Sequence, residues 1–545
     1  MIALLAWLWT LPLMGAGSET VDALFARYKT PGSPGCAVTV VKDGKQVHLG
    51  LYGLADVEQE TPIGPQTAFY LGSTSKQFTA MTVLMLVEMG RMKLDDPIHK
   101  YLPQLPAYMK PVTVRHLLEH TSGIRDYFAL WTLSGPPNDA VLGDTKAFDL
   151  IARQKELNFA PGAEFLYSNS GYFLLSMAIR PAAMSHLNAL AGRLIFEPLG
   201  LRRTLYYIDR FALLPKRAEG YSPVEGGAGV TAFQRNGATL DVAGDGGVFT
   251  TIEDVTRWLE YFGAPKDPQA KALAAMQTRG QLASGEQAEY GRGLMLKQYR
   301  GMESMSHVGG LRGYRSEIFW LPSERLGTAV LCNRSDAPVG PLARTVADAY
   351  LPPRKPLEPP PLTMQQLARK AGTFRDRDTG DLLVLQPSPP GLSATYQSFQ
   401  MLLLPGTPMR FRSVNSPLDF EIEFRDGGAK DEPKFVRIEA ESHKPAVYER
   451  VEWRPGPIAN PGQYEGVYRS EEALSEMTVR YFDSRLTLEV GGQTTGELAA
   501  TGTDRFQAGA VNILFERDDS KAVKGMLVTT GRVRKLAFTR TGPVQ

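Results

Sequence analysis

A proline-rich stretch, LPPRKPLEPPPL at residues 351–362, divides this chain into two parts with different patterns. Proline has no N–H and a fixed φ, so the stretch favours an extended spacer over regular structure. Before it, strand patterns at both ends enclose a mostly helical middle, from about Phe78 to Phe262. We therefore predict an α/β (α+β) domain with a helical insertion at residues 18–350, with a cleft between the two parts.

The part after the linker consists of short β patterns with a weak repeat. AGTFR at residues 371–375 opens one segment, and EGVYR at residues 465–469 opens another of similar length. Each segment alternates strand patterns with Gly or Asp turns. We predict two small antiparallel β-barrels or sandwiches, at residues 363–453 and 458–545.

Charge and composition argue against two classes of function. The 545 residues carry 60 basic and 58 acidic side chains, for a net charge of +2. This balance provides no field to attract nucleic acid or an anionic membrane surface. No segment reaches the ~18 consecutive apolar residues that cross a bilayer, and we expect no membrane span after processing.

The N-terminus, MIALLAWLWTLPLMGAGSET, is an apolar run that ends in small residues. This pattern is typical of a secretory signal, here residues 1–17, although the usual preceding basic residues are missing. An apolar N-terminal helix is the alternative. The signal predicts a periplasmic or secreted protein.

Cysteine and histidine residues indicate neither a disulfide framework nor a metal site. Cys36 and Cys332 each lie in an apolar, β-branched run, so we expect buried free thiols. His116 and His120 have the spacing of a zinc pair, but Leu-Leu-Glu between them does not match His-Glu-x-x-His. We predict no metal and no cofactor.

The stretch YLGSTSKQFTAMTVLMLVEM, residues 70–89, contains Ser73 and Lys76 where a loop turns into a helical pattern. At a spacing of three residues the two side chains share a helix face. The helix dipole favours negative charge on the hydroxyl, and the lysine accepts or stabilises a proton. Alone the pattern is weak, because background composition predicts about one Ser-x-x-Lys in such a chain.

A second stretch, Tyr167-Ser168-Asn169, lies between a Pro-Gly turn and a helical run. A tyrosine near a lysine ammonium can have its pKa lowered and serve as a general base, and Asn169 can hold a substrate amide. A tyrosine packed at a turn beside a helix-capping asparagine explains the same residues.

A third stretch, SHVGG at residues 306–310, ends a strand pattern. The backbone N–H groups at Gly309 and Gly310 could face an oxyanion, and His307 could add polarity or bind a carboxylate. A structural histidine before a glycine turn is the alternative. We interpret the glycine-rich AGDGGVF, residues 243–249, as a wall of the same site.

In this order, the stretches resemble the active-site motifs of the serine β-lactamase and penicillin-binding-protein superfamily. Within it they are most similar to the class C-like branch of D-amino-acid peptidases and esterases. The resemblance covers about residues 20–350 and extends to connecting segments such as VTVRHLLEHTSGI and LPSERLGTAVLCN. It implies a β-lactamase/transpeptidase-like catalytic domain.

The resemblance also implies roles for the matching residues. Ser73 would attack an amide or ester carbonyl and form an acyl-enzyme that water hydrolyses. Lys76 and Tyr167 would share the proton transfers, and Asn169 would orient the acyl amide. The backbone N–H groups of Ser73 and Gly310 would bind the oxyanion.

The third motif departs from the one common in β-lactamases. His307-Val308-Gly309 stands where those enzymes often have Lys-Thr-Gly. A titratable group then replaces a fixed cation, which argues against an efficient β-lactamase. His-x-Gly looks more like the D-aminopeptidases and DD-peptidases of the branch.

The C-terminal half resembles that of three-domain D-stereospecific aminopeptidases, in which a loop of the last domain enters the cleft. Our candidate is GTDRFQAGA at residues 502–510, with Asp504 positioned to meet a substrate ammonium. A solvated hairpin turn is the alternative.

The predicted function is that of a serine hydrolase that cleaves amide bonds of small D-amino-acid peptides or amides. Two alternatives stay open. One is an esterase or weak β-lactamase of the same fold, and the other is a penicillin-binding or peptidoglycan-sensing protein with slow turnover. In each case the partner is a small peptide, amide, ester or β-lactam.

Overall fold

The structure is a computed structural model. It describes residues 16–137, 139–225, 231–236, 240–353, 361–377, 379–396, 399–414, 420–426, 432–440, 446–452, 458 and 460–544. Most of the predicted signal (1–15) and most of the predicted linker (354–360) lie outside the described residues.

The α/β domain is built on a six-stranded antiparallel sheet to which both ends of the domain contribute. The first two strands form a hairpin at Asp43-Gly44, as the sequence predicts, and both turn residues have positive φ. In spatial order the strands are Met295–Tyr299, Met302–Leu311, Tyr314–Leu321, Leu326–Cys332, Cys36–Lys42 and Lys45–Tyr52.

The sheet is covered on both faces. Val38 and Val40 share a hydrophobic cluster with residues of the helix Val339–Asp348, whereas Ala37 shares another with residues of the helix Ile252–Gly263. Alternate residues of a strand point to opposite faces. Burial of both faces explains why this strand is mostly apolar, and its buried Thr39 is hydrogen-bonded to Thr256.

The helical insertion packs around one buried helix, Lys76–Glu88, whose first eleven residues, Lys76 to Leu86, are all buried. A helix that is buried on all sides carries apolar residues all round, as the Met- and Leu-rich sequence here does. The other insertion helices are Val114–Leu118, Tyr127–Leu133, Asp144–Ala152, Asn169–Ala183, Leu187–Ala191, Ile252–Gly263 and Gln269–Met276. Nowhere in the described ranges does a helix combine the length and apolarity that crossing a membrane requires.

Cys36 and Cys332 form a disulfide, so the prediction of free thiols was wrong. The two residues are paired in register on neighbouring strands, and both are fully buried. They lie 296 positions apart in the chain. Local sequence carries no information about such a pairing.

Two antiparallel β domains follow, as predicted. The first is a closed barrel of eight strands: Gly372–Asp376, Leu382–Ser388, Gly391–Tyr396, Phe399–Thr407, Arg410–Val414, Phe420–Phe424, Phe435–Ala440 and Ala446–Val451. The second is a nearly closed sheet of nine strands: Gly466–Ser470, Ser475–Phe482, Arg485–Val490, Gln493–Glu497, Ala499–Gly502, Arg505–Ala508, Val511–Arg517, Val523–Thr530 and Val533–Gly542. We call these the barrel domain and the last domain.

Candidate active site

Ser73 lies in a short 3-10 turn, Gly72–Ser75, that leads directly into the buried helix. This turn touches the strand Met302–Leu311 so closely that glycine is required on both sides. A Cβ on Gly72 would lie 2.6 Å from the backbone nitrogen of Gly310, and one on Gly309 would lie 1.9 Å from the Leu71 carbonyl oxygen. The close approach places the backbone N–H of Gly310 beside the Ser73 turn.

A buried hydrogen-bond network holds the turn against the strands. Thr74 Oγ1 donates to the His307 carbonyl oxygen at 3.0 Å, and Ser316 Oγ donates to the Leu71 carbonyl oxygen at 2.6 Å. The two hydroxyl oxygens are 2.8 Å apart. Sequence reasoning missed Thr74 and Ser316, because neither stands in a distinctive pattern.

Lys76 connects three parts of the site. Its Nζ donates to Ser73 Oγ at 3.1 Å, to Asn169 Oδ1 at 2.9 Å and to the backbone carbonyl of Asp245 at 2.6 Å. The structure therefore brings the predicted residues Ser73, Lys76 and Asn169 together. Asp245 lies in the glycine-rich stretch that we interpreted as a site wall.

Burial shifts the pKa values of both Lys76 and Asp245. Burial lowers the pKa of Lys76 to about 7, with the Asp245 carboxylate opposing the shift and Arg532 adding to it. Burial also raises the pKa of Asp245 to about 6, although Lys76 counteracts this shift. Near neutral pH a substantial fraction of Lys76 is therefore uncharged and able to accept a proton.

Tyr167 lies where the motif predicts, with the Lys76 ammonium nitrogen 4.9 Å from its ring centroid. The predicted direction of its pKa shift was wrong. Burial raises the pKa of Tyr167 well above its usual value, and the cation of Arg532 offsets only part of that increase. Tyr167 is thus a neutral phenol that can donate a proton, and Lys76 is the better candidate for the base.

His307 is placed behind Tyr167 and is absent from the residues that line the cleft. Its Nδ1 lies 2.7 Å from the Val308 carbonyl oxygen and its Nε2 lies 3.1 Å from Tyr290 Oη. Burial lowers the pKa of His307 to about 3, so the ring is neutral. The structure does not support carboxylate binding by His307; the imidazole instead packs beside the Tyr167 ring.

The predicted cleft loop of the last domain was wrong. Asp504 is engaged within that domain, where its carboxylate pairs with Arg517 at 2.6 Å and accepts from Tyr464 Oη at 2.8 Å. A different turn reaches the cleft, between the strands Val523–Thr530 and Val533–Gly542. Its residue Arg532 lines the cleft, with the guanidinium 4.7 Å from the Tyr167 ring centroid.

Two anchors hold this turn against the catalytic domain. Asn158 Nδ2 donates to the Arg532 carbonyl oxygen at 3.1 Å, while its Oδ1 accepts from the Arg534 N–H at 2.9 Å. Nearby, Arg125, only 1% exposed, pairs with Glu472 at 2.9 Å and donates to the Arg534 carbonyl oxygen at 3.0 Å. No sequence pattern marks Arg532, since its position depends on this docking.

These residues surround a cleft of about 600 Å³. Its polar floor includes Ser73, Asn169 and Asp245, and its walls are partly apolar. Besides Arg532, side chains of the walls include Phe128, Val308, Leu311 and Phe399, the last from the barrel domain. All three domains therefore contribute to the cleft.

The chain is similar to known proteins over most of its length. The sequence profile of the Beta-lactamase family matches residues 21–398. A D-aminopeptidase of Gluconobacter oxydans (strain 621H) is 29% identical over 472 residues, which cover 87% of this chain and 84% of that protein. A D-aminopeptidase of Brucella anthropi is 32% identical over 309 residues, 56% of each chain.

Among solved structures, the octameric penicillin-binding protein homologue from Pyrococcus abyssi is similar in fold. It superposes with a TM-score of 0.56 and 22% identity, over 79% of this chain and 99% of that one. The match confirms the predicted fold class.

Proposed function

Because the chain belongs to the beta-lactamase family, we propose that it is a serine hydrolase that cleaves amide bonds of small D-amino-acid amides or peptides through an acyl-enzyme on Ser73. The observation that carries this proposal is the buried Lys76, which donates to Ser73 Oγ, Asn169 Oδ1 and the Asp245 carbonyl. Because the pKa of Lys76 is close to neutral, Lys76 can act as a base toward the Ser73 hydroxyl at physiological pH. The side-chain amide of Asn169 lies next to both and can orient the substrate.

In the proposed acylation, neutral Lys76 takes the proton of Ser73, and Oγ attacks the substrate carbonyl carbon. The backbone N–H groups of Ser73 and Gly310 stabilise the resulting oxyanion. Tyr167 donates its hydroxyl proton to the leaving nitrogen as the C–N bond breaks, and the Lys76 ammonium returns a proton to Tyr167. Water then attacks the acyl ester, losing its proton to the same pair, which reprotonates Ser73.

Two observations support a substrate with a free amino group. The relatives named above are D-aminopeptidases. In addition, Asp245 lines the cleft, and its Oδ1 is buried without a hydrogen-bond partner among the described residues, whereas its Oδ2 accepts from Tyr127 Oη at 2.8 Å. The charge of the Asp245 carboxylate would favour a substrate ammonium in the adjoining cleft.

The proposal is tested with purified full chain and D-alanine p-nitroanilide. We expect release of p-nitroaniline by the native protein and none by Ser73→Ala. Ser185→Ala, at a half-buried serine outside the residues that line the cleft, should retain the native rate. L-Alanine p-nitroanilide measures stereochemical preference. Equal rates for the native protein and Ser73→Ala would overturn the proposal.

The same preparation separates the remaining alternatives. Faster turnover of short acyl esters or nitrocefin than of the D-anilide would identify an esterase or β-lactamase. Intact-protein mass spectrometry after exposure to penicillin identifies a sensor through a stable adduct without turnover. We expect turnover, because Lys76 can take a proton from the water that hydrolyses the acyl-enzyme and the neutral Tyr167 can relay it.

We further propose that the protein is exported to the periplasm or the medium. The apolar N-terminus supports this location, as does the Cys36–Cys332 disulfide, because such bonds persist mainly in oxidising compartments. Fractionation of cells that express the full chain, followed by immunodetection, tests it. Accumulation of full-length protein in the cytoplasm alone would contradict it.

A further inference from the structure

Arg532 is a cation of the cleft that the proposed mechanism does not use. Its side chain is 28% exposed, and the closest carboxylate oxygen, Asp126 Oδ2, is 3.8 Å away. Asp126 is engaged elsewhere, since it accepts from the backbone N–H groups of Ala129 at 2.9 Å and Asn169 at 2.6 Å. Within the described part of the chain, no group accepts a hydrogen bond from this guanidinium.

The other arginine that lines the cleft differs from Arg532. The Nη1 of Arg315 donates to the carbonyl oxygens of Leu311 at 3.0 Å and Tyr314 at 2.8 Å. Its hydrogen bonds hold the end of a hairpin. Arg532 also lines the cleft, but its guanidinium makes no hydrogen bond to the described residues.

Arg532 lies on the side of the cleft where we expect the leaving group. Its guanidinium lies over the ring of Tyr167, at 4.7 Å from the centroid, and Tyr167 is the proposed proton donor to the leaving nitrogen. When the leaving group is an amino acid, its carboxylate is attached to the carbon next to that nitrogen. A carboxylate in this position would therefore lie on the Arg532 side of the cleft.

We propose that Arg532 binds the C-terminal carboxylate of the leaving amino acid. The preferred substrates are then dipeptides with an N-terminal D-residue and a free carboxylate, ahead of the corresponding neutral amides. This inference rests on the proposed function and narrows its substrate class.

Two physical features suit Arg532 to this role. A guanidinium offers paired N–H groups that match the two oxygens of a carboxylate. The backbone of this turn is also anchored, because Asn158 bonds to the carbonyl of Arg532 and to the N–H of Arg534. Such preorganisation reduces the ordering cost of binding.

The test uses two substrates that differ only at the group in question, D-alanyl-glycine and D-alanyl-glycinamide, with release of glycine or glycinamide measured by mass spectrometry. A charge-assisted hydrogen bond predicts that kcat/KM for the free acid exceeds that for the amide by roughly 10- to 100-fold. In Arg532→Gln the ratio should fall to near one, and Arg532→Lys should restore part of it.

The control is Arg485→Gln, in the last domain, whose side chain is 67% exposed and which should leave the ratio at its native value. A native ratio near one, or a ratio that Arg532→Gln leaves unchanged, would overturn the inference. The preference for the free acid is measured on the native protein alone. A folding defect in Arg532→Gln therefore cannot obscure that part of the test. Hydrolysis of D-alanine p-nitroanilide with no preference for the free acid would reject only this inference, whereas no hydrolysis of any D-substrate would reject the proposed function as well.

Discussion

The Nζ atom of Lys76 lies 3.1 Å from the Oγ atom of Ser73. Because Lys76 is fully buried, its pKa falls to about 7. A lysine accepts the serine proton only when neutral, and its neutral fraction rises as pH rises through that pKa. On the acid side of the pH profile, the activity of the protein should therefore rise as Lys76 loses its proton.

The first prediction is a pH dependence. We expect kcat/KM for D-alanine p-nitroanilide to increase between about pH 5 and 8, with an inflection near the Lys76 pKa of about 7. The substrate's own amino group titrates at about 8 and produces a decline beyond it. A stopped-time assay across this range, corrected for enzyme stability, measures the profile.

Asp245→Asn tests the assignment of that inflection. The Asp245 carboxylate raises the pKa of Lys76, so its removal should move the inflection to lower pH as well as lower the rate. An inflection that stays in place in Asp245→Asn would show that another group limits activity in acid.

The second prediction concerns Gly309. In Gly309→Ala the new Cβ would lie 1.9 Å from the Leu71 carbonyl oxygen, so the strand must move away from the Ser73 turn and carry the Gly310 N–H with it. Loss of one oxyanion donor costs about 10²- to 10³-fold in kcat. Steady-state kinetics measure the effect. Gly143→Ala is the matched control, because its Cβ would meet no atom within 4 Å; native activity in Gly309→Ala would contradict the assigned contact.

The third prediction concerns the docking of the last domain. Glu472→Ala removes one carboxylate that pairs with the buried Arg125, while the ion pair of Arg125 with Glu156 at 2.9 Å remains. Loss of one charged hydrogen-bond partner of a buried group costs about 1–3 kcal/mol. We expect a lower thermal midpoint and weaker turnover of D-alanyl-glycine, because Arg532 is positioned by the same interface. Glu497→Ala removes an exposed pair within the last domain and should change stability by less than about 1 kcal/mol. Equal effects of the two substitutions would argue against a docking role for Glu472.

The fourth prediction concerns the disulfide between Cys36 and Cys332. The bond closes a segment of 296 positions, and loss of a native disulfide typically lowers the free energy of unfolding by about 2–4 kcal/mol. Cys36→Ser, Cys332→Ser and the double variant should therefore show similar decreases in urea denaturation. Additive effects of the two single substitutions would indicate that the thiols contribute separately.

Much of the fold follows from local pattern. Asp43-Gly44 predicts the hairpin, the apolar run after Ser73 predicts the buried helix, and the alternation after the linker predicts two antiparallel β domains. Each of these features depends on neighbours in the chain, where periodicity and turn chemistry act. The grouping of Ser73, Lys76 and Asn169 could be predicted because three motifs, in this order, resemble those of one family.

The charge states of the site residues could not be predicted from the sequence in the same way. Proximity to a lysine predicts a lowered pKa for Tyr167, yet burial outweighs that effect and raises it. For His307, burial and the charge of the nearby Lys76 lower the pKa and determine a neutral ring behind the cleft. Burial is a property of the packed molecule, and no motif states how deeply a side chain lies.

The sequence by itself therefore determined the family of the catalytic domain and predicted that Ser73 and Lys76 lie together, since these features reside in short, ordered stretches. Tertiary structure alone decided the Cys36–Cys332 pairing, the engagement of Asp504 with Arg517, and the reach of Arg532 to Tyr167. The physical reason is that each of these contacts depends on where the strands and domains pack, which the local pattern around either partner does not specify.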